Sequence, residues 1–170
     1  MRSLAALLLI VVTSCATKTT AVVSEETPYL PPKEQWVDGE LTRLETVART
    51  STKVAFLSGV TLGVRDTAQV RPDTLPGVNV RVIRPGGFPD NVEEVAGGTA
   101  NGSGKFQVWL SAGTYDVLLT HPGYGTIVLR NVVMDAGEHK MADATLGVGG
   151  GSAAYEVGAD NSFTRAVGGE

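Results

Sequence analysis

The sequence predicts an all-β sandwich of about seven short antiparallel strands. Between residues 53 and 147, apolar and polar residues alternate in short runs, which is the pattern of strands that bury one face. Clusters of Gly, Pro, Asn and Ser separate these runs and predict tight turns. Glycine accounts for 21 of the 170 residues, about 12% against an average of about 7%. Several short strands at this spacing, without intervening helices, favour a sandwich over a doubly wound parallel sheet.

Three of the alternating runs define most of the predicted core. Their inward-facing residues are Val78, Val80, Val82, Phe106, Val108, Leu110, Tyr115, Val117 and Leu119. The segment 111–113, between the second and third of these runs, is short enough for a tight turn. We therefore expect these two runs to form an antiparallel hairpin.

The N-terminus has the pattern of an export signal. Arg2 gives a positive start, and residues 4–12 form an unbroken apolar run. A membrane-spanning helix needs about 20 apolar residues, so this shorter run fits the hydrophobic region of a signal peptide. The sequence Val-Thr-Ser-Cys at residues 12–15 resembles the lipobox of bacterial lipoproteins. The resemblance implies that residues 1–14 are removed and that Cys15 carries a diacylglyceryl group and an acylated amino group, with palmitate as an acyl chain.

Two alternatives to lipidation are a plain signal peptide that contains a thiol by chance and a buried, inert cysteine. The position of Cys15, its flanking residues and its uniqueness favour lipidation. Several acyl chains anchor a protein stably, whereas one chain binds only marginally. The next residue is Ala16 and not Asp, which by resemblance to Gram-negative sorting favours the outer membrane. We therefore expect a cell-envelope protein that lipid anchors to the outer membrane.

Composition excludes several classes of partner. The chain has 14 Lys and Arg against 18 Asp and Glu, a net charge of −4, and its basic residues form no cluster. Nucleic acid is therefore not an expected partner, and the sequence has no polybasic membrane-binding patch. With a single cysteine no intramolecular disulfide is possible, so the domain depends on its hydrophobic core.

Residues 15–52 are expected to contain the lipidated cysteine, a Thr- and Pro-rich tether and a short helix. Apolar residues recur at helical spacing at Val37, Leu41, Leu44 and Ala48. Asp38 is a suitable N-cap for such a helix. The pattern predicts a helix over residues 39–49, and an added edge strand is the alternative.

Residues 148–170 are expected to form a Gly-rich flexible tail. The segment 147–152 is dominated by glycine, as flexible linkers are. The residues after it are mostly small and polar, with isolated apolar side chains. The alternative is a short terminal hairpin that adds to a sheet edge. The sandwich itself is then confined to residues 53–147.

Four short motifs in this predicted domain resemble those of carboxypeptidase regulatory-like domains. They are a strand opening at 75–80 (Leu-Pro-Gly-Val-Asn-Val), a hairpin at 101–106 (Asn-Gly-Ser-Gly-Lys-Phe), and turns at 112–115 (Ala-Gly-Thr-Tyr) and 121–124 (His-Pro-Gly-Tyr). Each motif is short, but the four occur in the order and at the spacing of the family.

The resemblance covers residues 57–147 and implies a seven-stranded, antiparallel, transthyretin-like (Ig-like) β-sandwich with a carbohydrate-binding-like fold. Domains of this family are usually non-catalytic accessory modules. The segment 66–74 and the loop 86–91 depart from the family pattern. Because binding residues concentrate on loops held by a rigid scaffold, these two loops are candidate recognition elements.

The motif residues also have physical roles. Gly104 and Gly113 are expected at positions with positive φ, where a Cβ atom clashes. Tyr115 is expected to bury its ring and bond its hydroxyl to the backbone, as at a corner of Ig-like sandwiches. Tyr124 is expected to pack across an open end of the sandwich.

No catalytic set is expected. His121 and His139 form no His-x-His pair, and neither Gly-x-Ser-x-Gly nor His-Glu-x-x-His occurs in the sequence. Cys15 is not a free nucleophile once it is lipidated. We therefore expect neither enzymatic activity nor a cofactor, and no metal centre.

Two features are candidates for binding. Asp90, Glu93 and Glu94 lie in an acidic loop that could hold Ca²⁺ through carboxylate oxygens, although a solvated surface loop is the favoured interpretation. The alternation of its strand points Trp109 away from the core, where an indole can stack on a sugar or anchor a protein partner. In the alternative interpretation, a second layer covers the strand and buries Trp109.

These observations predict a non-catalytic, lipid-anchored cell-envelope module that binds a protein or glycan partner. One alternative is a structural spacer or assembly subunit that pairs through exposed sheet edges. A small hydrolase or a metal-dependent enzyme is the least supported class, since the sequence offers no convergent set of titratable groups.

Overall fold

The computed structural model describes residues 37–86 and 93–166, in which two β-sheets form a sandwich. The predicted all-β fold is confirmed, and the described residues form eleven strands instead of the seven predicted. The strands are β1 (Glu40–Arg49), β2 (Ala55–Val64), β3 (Asp73–Thr74), β4 (Asn79–Ile83), β5 (Glu94–Thr99), β6 (Lys105–Leu110), β7 (Gly113–Thr120), β8 (Ile127–Met134), β9 (Glu138–Gly147), β10 (Ala153–Val157) and β11 (Phe163–Arg165). The signal peptide, Cys15 and the tether predicted before residue 36 lie outside the described residues.

The two sheets are mixed and not purely antiparallel as predicted. The first sheet has the order β1-β9-β2. The other edge of β2 pairs with β6 along its first part and with β3 near its end. The second sheet has the order β11-β10-β8-β7-β4-β5. Most pairs are antiparallel, but β2 pairs with β9 in parallel and β8 pairs with β10 in parallel. β2 and β9 lie far apart in the sequence, and β8 and β10 are separated by β9. Neither parallel pair is joined by a tight turn, so no turn motif in the sequence indicates it.

Side chains from both sheets meet in one core. All nine residues predicted to face inward are buried, and they pack with apolar residues of β1, β8, β9 and β10. Along β2 and β9 every second residue is buried and the residues between them are mostly partly exposed. Alternation of apolar and polar residues in the sequence therefore predicts which side chains face the core.

The predicted hairpin between residues 106–110 and 115–119 does not form. The strand β6 pairs with β2 in the first sheet, whereas β7 pairs with β4 and β8 in the second. The short segment 111–112 therefore carries the chain from one sheet to the other. A short loop permits either geometry, and the central position of β7 buries both of its faces from Tyr115 to Leu119, which a hairpin at the sheet edge would not do.

The predicted helix over 39–49 is also wrong, and the edge-strand alternative is right. The ladder between β1 and β9 shifts register between Leu41 and Arg43, so one extra residue is accommodated in β1. Because of this bulge, Leu41 and Leu44 both lie opposite inward-facing alanines of β9, although they are three residues apart. The bulge thus produces the spacing that resembles a helix.

The region predicted as a flexible tail contains β10 and β11, so the terminal-hairpin alternative is right. These two strands pair with each other and extend the second sheet from β8. Ala153, Tyr155 and Val157 are buried because they alternate along β10 and cover the end of the core. The sandwich therefore extends on both sides of the predicted 53–147 boundaries.

Tyr115 closes the corner between the sheets as predicted. Its ring is buried, and its hydroxyl donates to the carbonyl oxygen of Ser111 at 3.1 Å. Gly104 has the expected positive φ of 68°. Gly113 does not, and its lack of a side chain has another cause: an added Cβ would lie 3.0 Å from the Tyr115 hydroxyl oxygen.

We expect Tyr115→Phe to lower the free energy of unfolding by about 1 kcal/mol, because it removes the hydrogen bond that holds this corner. Urea unfolding of the two proteins measures the loss. Tyr155→Phe is the matched control, since the Tyr155 hydroxyl lies 3.5 Å from the carbonyl oxygen of Gly39 and makes a weaker bond. Equal losses in the two variants would contradict the role given to the Tyr115 hydroxyl.

Candidate binding surface

Three aromatic rings form a row across the outer face of the first sheet. Trp109 on β6, Phe56 on β2 and His139 on β9 occupy paired positions in the ladder. The ring centroids of Phe56 and Trp109 are 5.1 Å apart, and those of Phe56 and His139 are 3.9 Å apart and nearly stacked. These three residues are called the aromatic row below.

Trp109 is the most accessible part of the aromatic row. Its side chain points away from the core and 61% of the residue is exposed, so the second layer of the alternative interpretation does not cover it. Phe56 is partly buried and supports one side of the indole. Cross-strand aromatic pairs of this kind stabilise a sheet by about 0.2–1 kcal/mol. The contact also holds the indole in place before any partner binds.

An open groove of about 490 Å³ adjoins the indole. It lies where the loop 111–112 meets the beginnings of β2 and β5, and its wall is mixed in character. The main lining residues are Val54, Arg84, Val95, Trp109 and Tyr115. Its volume is within the range of small-molecule sites, but it is a surface groove and not an enclosed cavity. Such a shape suits a sugar ring or a protruding side chain better than a cofactor.

Polar groups lie beside the aromatic row on the same face. Gln107, Ser58 and Met141 form the next row of paired positions. With Lys105 they line a second open groove of about 540 Å³. Amide, hydroxyl and ammonium groups next to an aromatic platform offer both donors and acceptors to a bound polar molecule.

His139 completes the row as a neutral ring near neutral pH. Partial burial lowers the pKa of His139 below its usual value. Its Nε2 atom is 2.8 Å from the hydroxyl oxygen of Ser58, a hydrogen bond that links the two rows. His121, by contrast, lies in the turn after β7, where its ring contacts Tyr124 edge-on at 5.1 Å. Tyr124 is packed against the core near the end of β2, consistent with its predicted role there.

Two residues of the acidic loop that was considered as a possible Ca²⁺ site, Glu93 and Glu94, lie among the described residues and are paired with arginines. The Oε2 atom of Glu94 is 2.8 Å from Nε of Arg81, and that of Glu93 is 3.8 Å from Nε of Arg84. The guanidinium groups thus compensate the charges of the two carboxylates. Asp90 and Cys15 lie outside the described residues. Within the described ranges, no three His, Cys, Asp or Glu side chains are grouped closely enough to hold a metal ion.

Sequence reasoning did not find the partners of Trp109 or a second cluster inside the sandwich. Phe56 and His139 are far from Trp109 in sequence, and only the strand register unites them. The second cluster contains Glu138 and Lys140, which are buried on the inner face of β9. The sequence does contain an indication of this cluster, because two charged residues occupy inward positions of the alternating strand β9.

No protein-family model matches this chain, and no curated protein matches its sequence. No helix among the described residues is long and apolar enough to cross a membrane. The resemblance to carboxypeptidase regulatory-like domains therefore stays a prediction, and the aromatic row is the observation from which function is argued.

We expect His139 to make the protein less stable as the pH falls from about 7.5 to about 5.5. Since the folded-state pKa is lowered, the unfolded chain binds the proton more readily around its ordinary pKa of about 6.5, and stability rises with pH in this window. Urea unfolding at both pH values should show a smaller difference for His139→Gln than for the native protein. His121→Gln is the matched control and should retain the native difference; an unchanged difference in His139→Gln would contradict the assignment.

Proposed function

We propose that this protein is a non-catalytic, lipid-anchored module of the cell envelope that binds a glycan or protein partner through the aromatic row. The observation that carries the proposal is the exposure of Trp109, 61%, on a rigid sheet face. An exposed indole costs free energy in water, and tryptophan is among the residues that contribute most to binding where it is found in interfaces.

The geometry of the surface supports binding of a flat or extended molecule. The three strands that carry the aromatic row are hydrogen-bonded neighbours, so the rings need no loop movement to come together. An aromatic platform that is already ordered loses little side-chain entropy when a partner binds. Gln107, Ser58 and Lys105 supply hydrogen-bonding groups beside it, as recognition of a sugar or a polar peptide requires.

The location of the module is proposed from the sequence. The lipobox-like residues before Cys15 support export and lipidation, and Ala16 supports sorting to the outer membrane. The motif resemblance supports an accessory role, because such domains usually accompany another activity and have none themselves. The ion pairs of the acidic segment support the same view, since its described carboxylates are paired with arginines.

Pairing through the sheet edges at β1 and β11 is less well supported as an alternative. The edge strand β1 carries two register shifts and four charged residues, which are features that prevent pairing with another strand. At the far edge of the second sheet, β11 has only three residues. An edge-paired assembly therefore lacks a long, regular edge on these two strands.

We expect Trp109→Ala to weaken partner binding by about 30-fold, equivalent to about 2 kcal/mol for a tryptophan at the centre of an interface. Because the residue is exposed, the free energy of unfolding should fall by less than about 1 kcal/mol. The partner is first sought by placing a benzophenone amino acid at Val54, an exposed residue that lines the groove beside the indole and leaves Trp109 in place, in the membrane-tethered protein. What is captured is identified by mass spectrometry. Binding of the purified partner then measures the effect.

The matched control carries the benzophenone at Val47, which is also exposed but lies on the edge strand β1. A species captured from position 54 and not from position 47 supports the proposal, whether it is a protein or a glycan. Identical capture from both positions, or a loss of several kcal/mol of stability in Trp109→Ala, would show that the indole serves the fold and not a partner.

We expect Cys15→Ser to release the protein from the membrane fraction into the soluble envelope fraction, because the acyl chains are attached through this residue. Metabolic labelling with palmitate followed by fractionation measures both lipidation and location. The matched control is Ser14→Ala, which changes a neighbouring small residue and should remain labelled. Membrane retention of Cys15→Ser without label would contradict the lipid anchor.

A further inference from the structure

The inner face of β9 carries two charged residues inside the sandwich. Glu138 is 1% exposed and Lys140 is 2% exposed, whereas the inward positions that follow on this strand are apolar. A buried ion pair gains little stability relative to apolar residues of similar size, because both charges lose their hydration. The pair therefore calls for an explanation other than stability.

The amine of Lys140 meets an amide group from the end of the chain. Its Nζ atom donates to Oδ1 of Asn161 and lies 3.6 Å from Oε1 of Glu138. Asn161 is in the turn between β10 and β11 and has a φ of 66°, in the left-handed region. Asparagine is one of the few non-glycine residues that adopt this conformation readily, so a tight turn can place its side chain beside Lys140. A nucleophilic nitrogen, a carboxamide and a carboxylate are thus held together, with Lys140 and Glu138 buried and Asn161 partly exposed.

A hydroxyl group connects the carboxylate to the other end of the same amide. Nδ2 of Asn161 donates to Oγ1 of Thr46 at 3.0 Å, and Oγ1 of Thr46 donates to Oε1 of Glu138 at 2.5 Å. The second oxygen of Glu138 accepts from the backbone N–H of Asp135 at 2.8 Å. The carboxyl group is therefore fixed between the Lys140 amine on one side and, through Thr46, the amide nitrogen on the other.

The charge of Glu138 is held by these neighbours. Burial alone opposes its ionisation, but the hydrogen bonds from Asp135 and Thr46 and the charges of Lys140 and Arg49 outweigh burial and lower the pKa of Glu138. Glu138 is thus an ionised carboxylate in the resting state, and it can accept a proton from the Lys140 amine 3.6 Å away, which a reaction of that amine needs.

We propose that Lys140 and Asn161 form an intramolecular isopeptide bond, with Glu138 as the proton-transferring group and release of one ammonia molecule. Each of the three side chains is in direct or hydroxyl-bridged contact with the others, so the reacting groups need no diffusion to meet. Water is excluded from Lys140 and Glu138, which disfavours hydrolysis of the product.

The atoms balance without any co-reactant. The Lys140 ammonium gives one proton to the Glu138 carboxylate, and the free amine attacks Cγ of Asn161 while the C=O electron pair moves to Oδ1. The proton on Glu138 passes through the Thr46 hydroxyl to Nδ2, the Cγ–Nδ2 bond breaks, and ammonia leaves as the carbonyl re-forms. Glu138 then takes the remaining extra proton from the new amide nitrogen and passes it to the ammonia.

The bond would join the two sheets at one end of the sandwich. Lys140 belongs to β9 in the first sheet, and Asn161 connects β10 and β11, the last strands of the second. The terminal strands β10 and β11 would then be held covalently as well as by their ladder with β8. A cross-link of this kind fulfils the role of a disulfide in a chain whose single cysteine is used elsewhere.

Tryptic digestion of the denatured native protein tests the proposal directly. Trypsin cuts after Arg130, Lys140 and Arg165, and it does not cut after a lysine whose amine is acylated. The cross-linked protein should yield one peptide, residues 131–165, lighter than its sequence by one ammonia. A further cut after Tyr155 should leave the two halves joined. Separate peptides 131–140 and 141–165 would overturn the proposal, including the case in which Asn161 is merely deamidated.

Variants assign the roles of the individual groups. Asn161→Ala and Lys140→Arg should each give separate peptides, and Glu138→Gln, which preserves size, should give mostly separate peptides. Asn79→Ala changes an exposed asparagine of β4 and is the matched control that should keep the cross-link. Complete cross-linking in Glu138→Gln would overturn the role of the carboxylate. Because the native digest is decisive by itself, a variant that fails to fold does not affect the result.

Discussion

The pairing of β9 with β1 on one side and β2 on the other is the interaction on which the rest of the structure depends. It joins the first described strand to the body of the sandwich and creates the parallel pair at the centre of the first sheet. The two central strands approach closely at Gly59, where an added Cβ would lie 1.8 Å from the carbonyl oxygen of Ala142. Only glycine allows the two strands to approach in this way at position 59.

The sequence predicts the class of fold because strand burial has a period of two. Alternation identified β4, β6 and β7 and their inward residues, and the buried ring and backbone-bonded hydroxyl of Tyr115 were also predicted correctly. Alternation does not indicate which sheet a strand joins, so the chain between β6 and β7 was taken for a hairpin. It also fails where a bulge adds a residue, as it does between Leu41 and Arg43, because the inward residues then have the spacing of a helix.

The candidate site was predictable only in part, for a related reason. Trp109 follows from alternation on a single strand, which is local information. Its contacts with Phe56 and His139 depend on the register of three strands that are far apart in the sequence, and no local pattern encodes that register. The cluster around Lys140 is similar, since its two charges could be noticed on β9 but Thr46 and Asn161 come from the two segments whose structure was predicted wrongly.

The proposed binding surface and the proposed isopeptide bond lie on opposite faces of β9 at residues 138–140. Glu138 and Lys140 point into the sandwich, and His139 between them points outward to the aromatic row. A covalent bond at Lys140 fixes the backbone on both sides of His139 and so stiffens the surface that we propose for binding, which lowers the entropy lost on association. In the lipid-anchored module that we propose, tension from the membrane would enter through β1, whose one ladder within the described ranges is with β9. Thr46 lies on β1 and takes part in the same cluster. The proposed bond therefore reinforces both β1, which receives this tension, and β9, which carries His139 of the aromatic row.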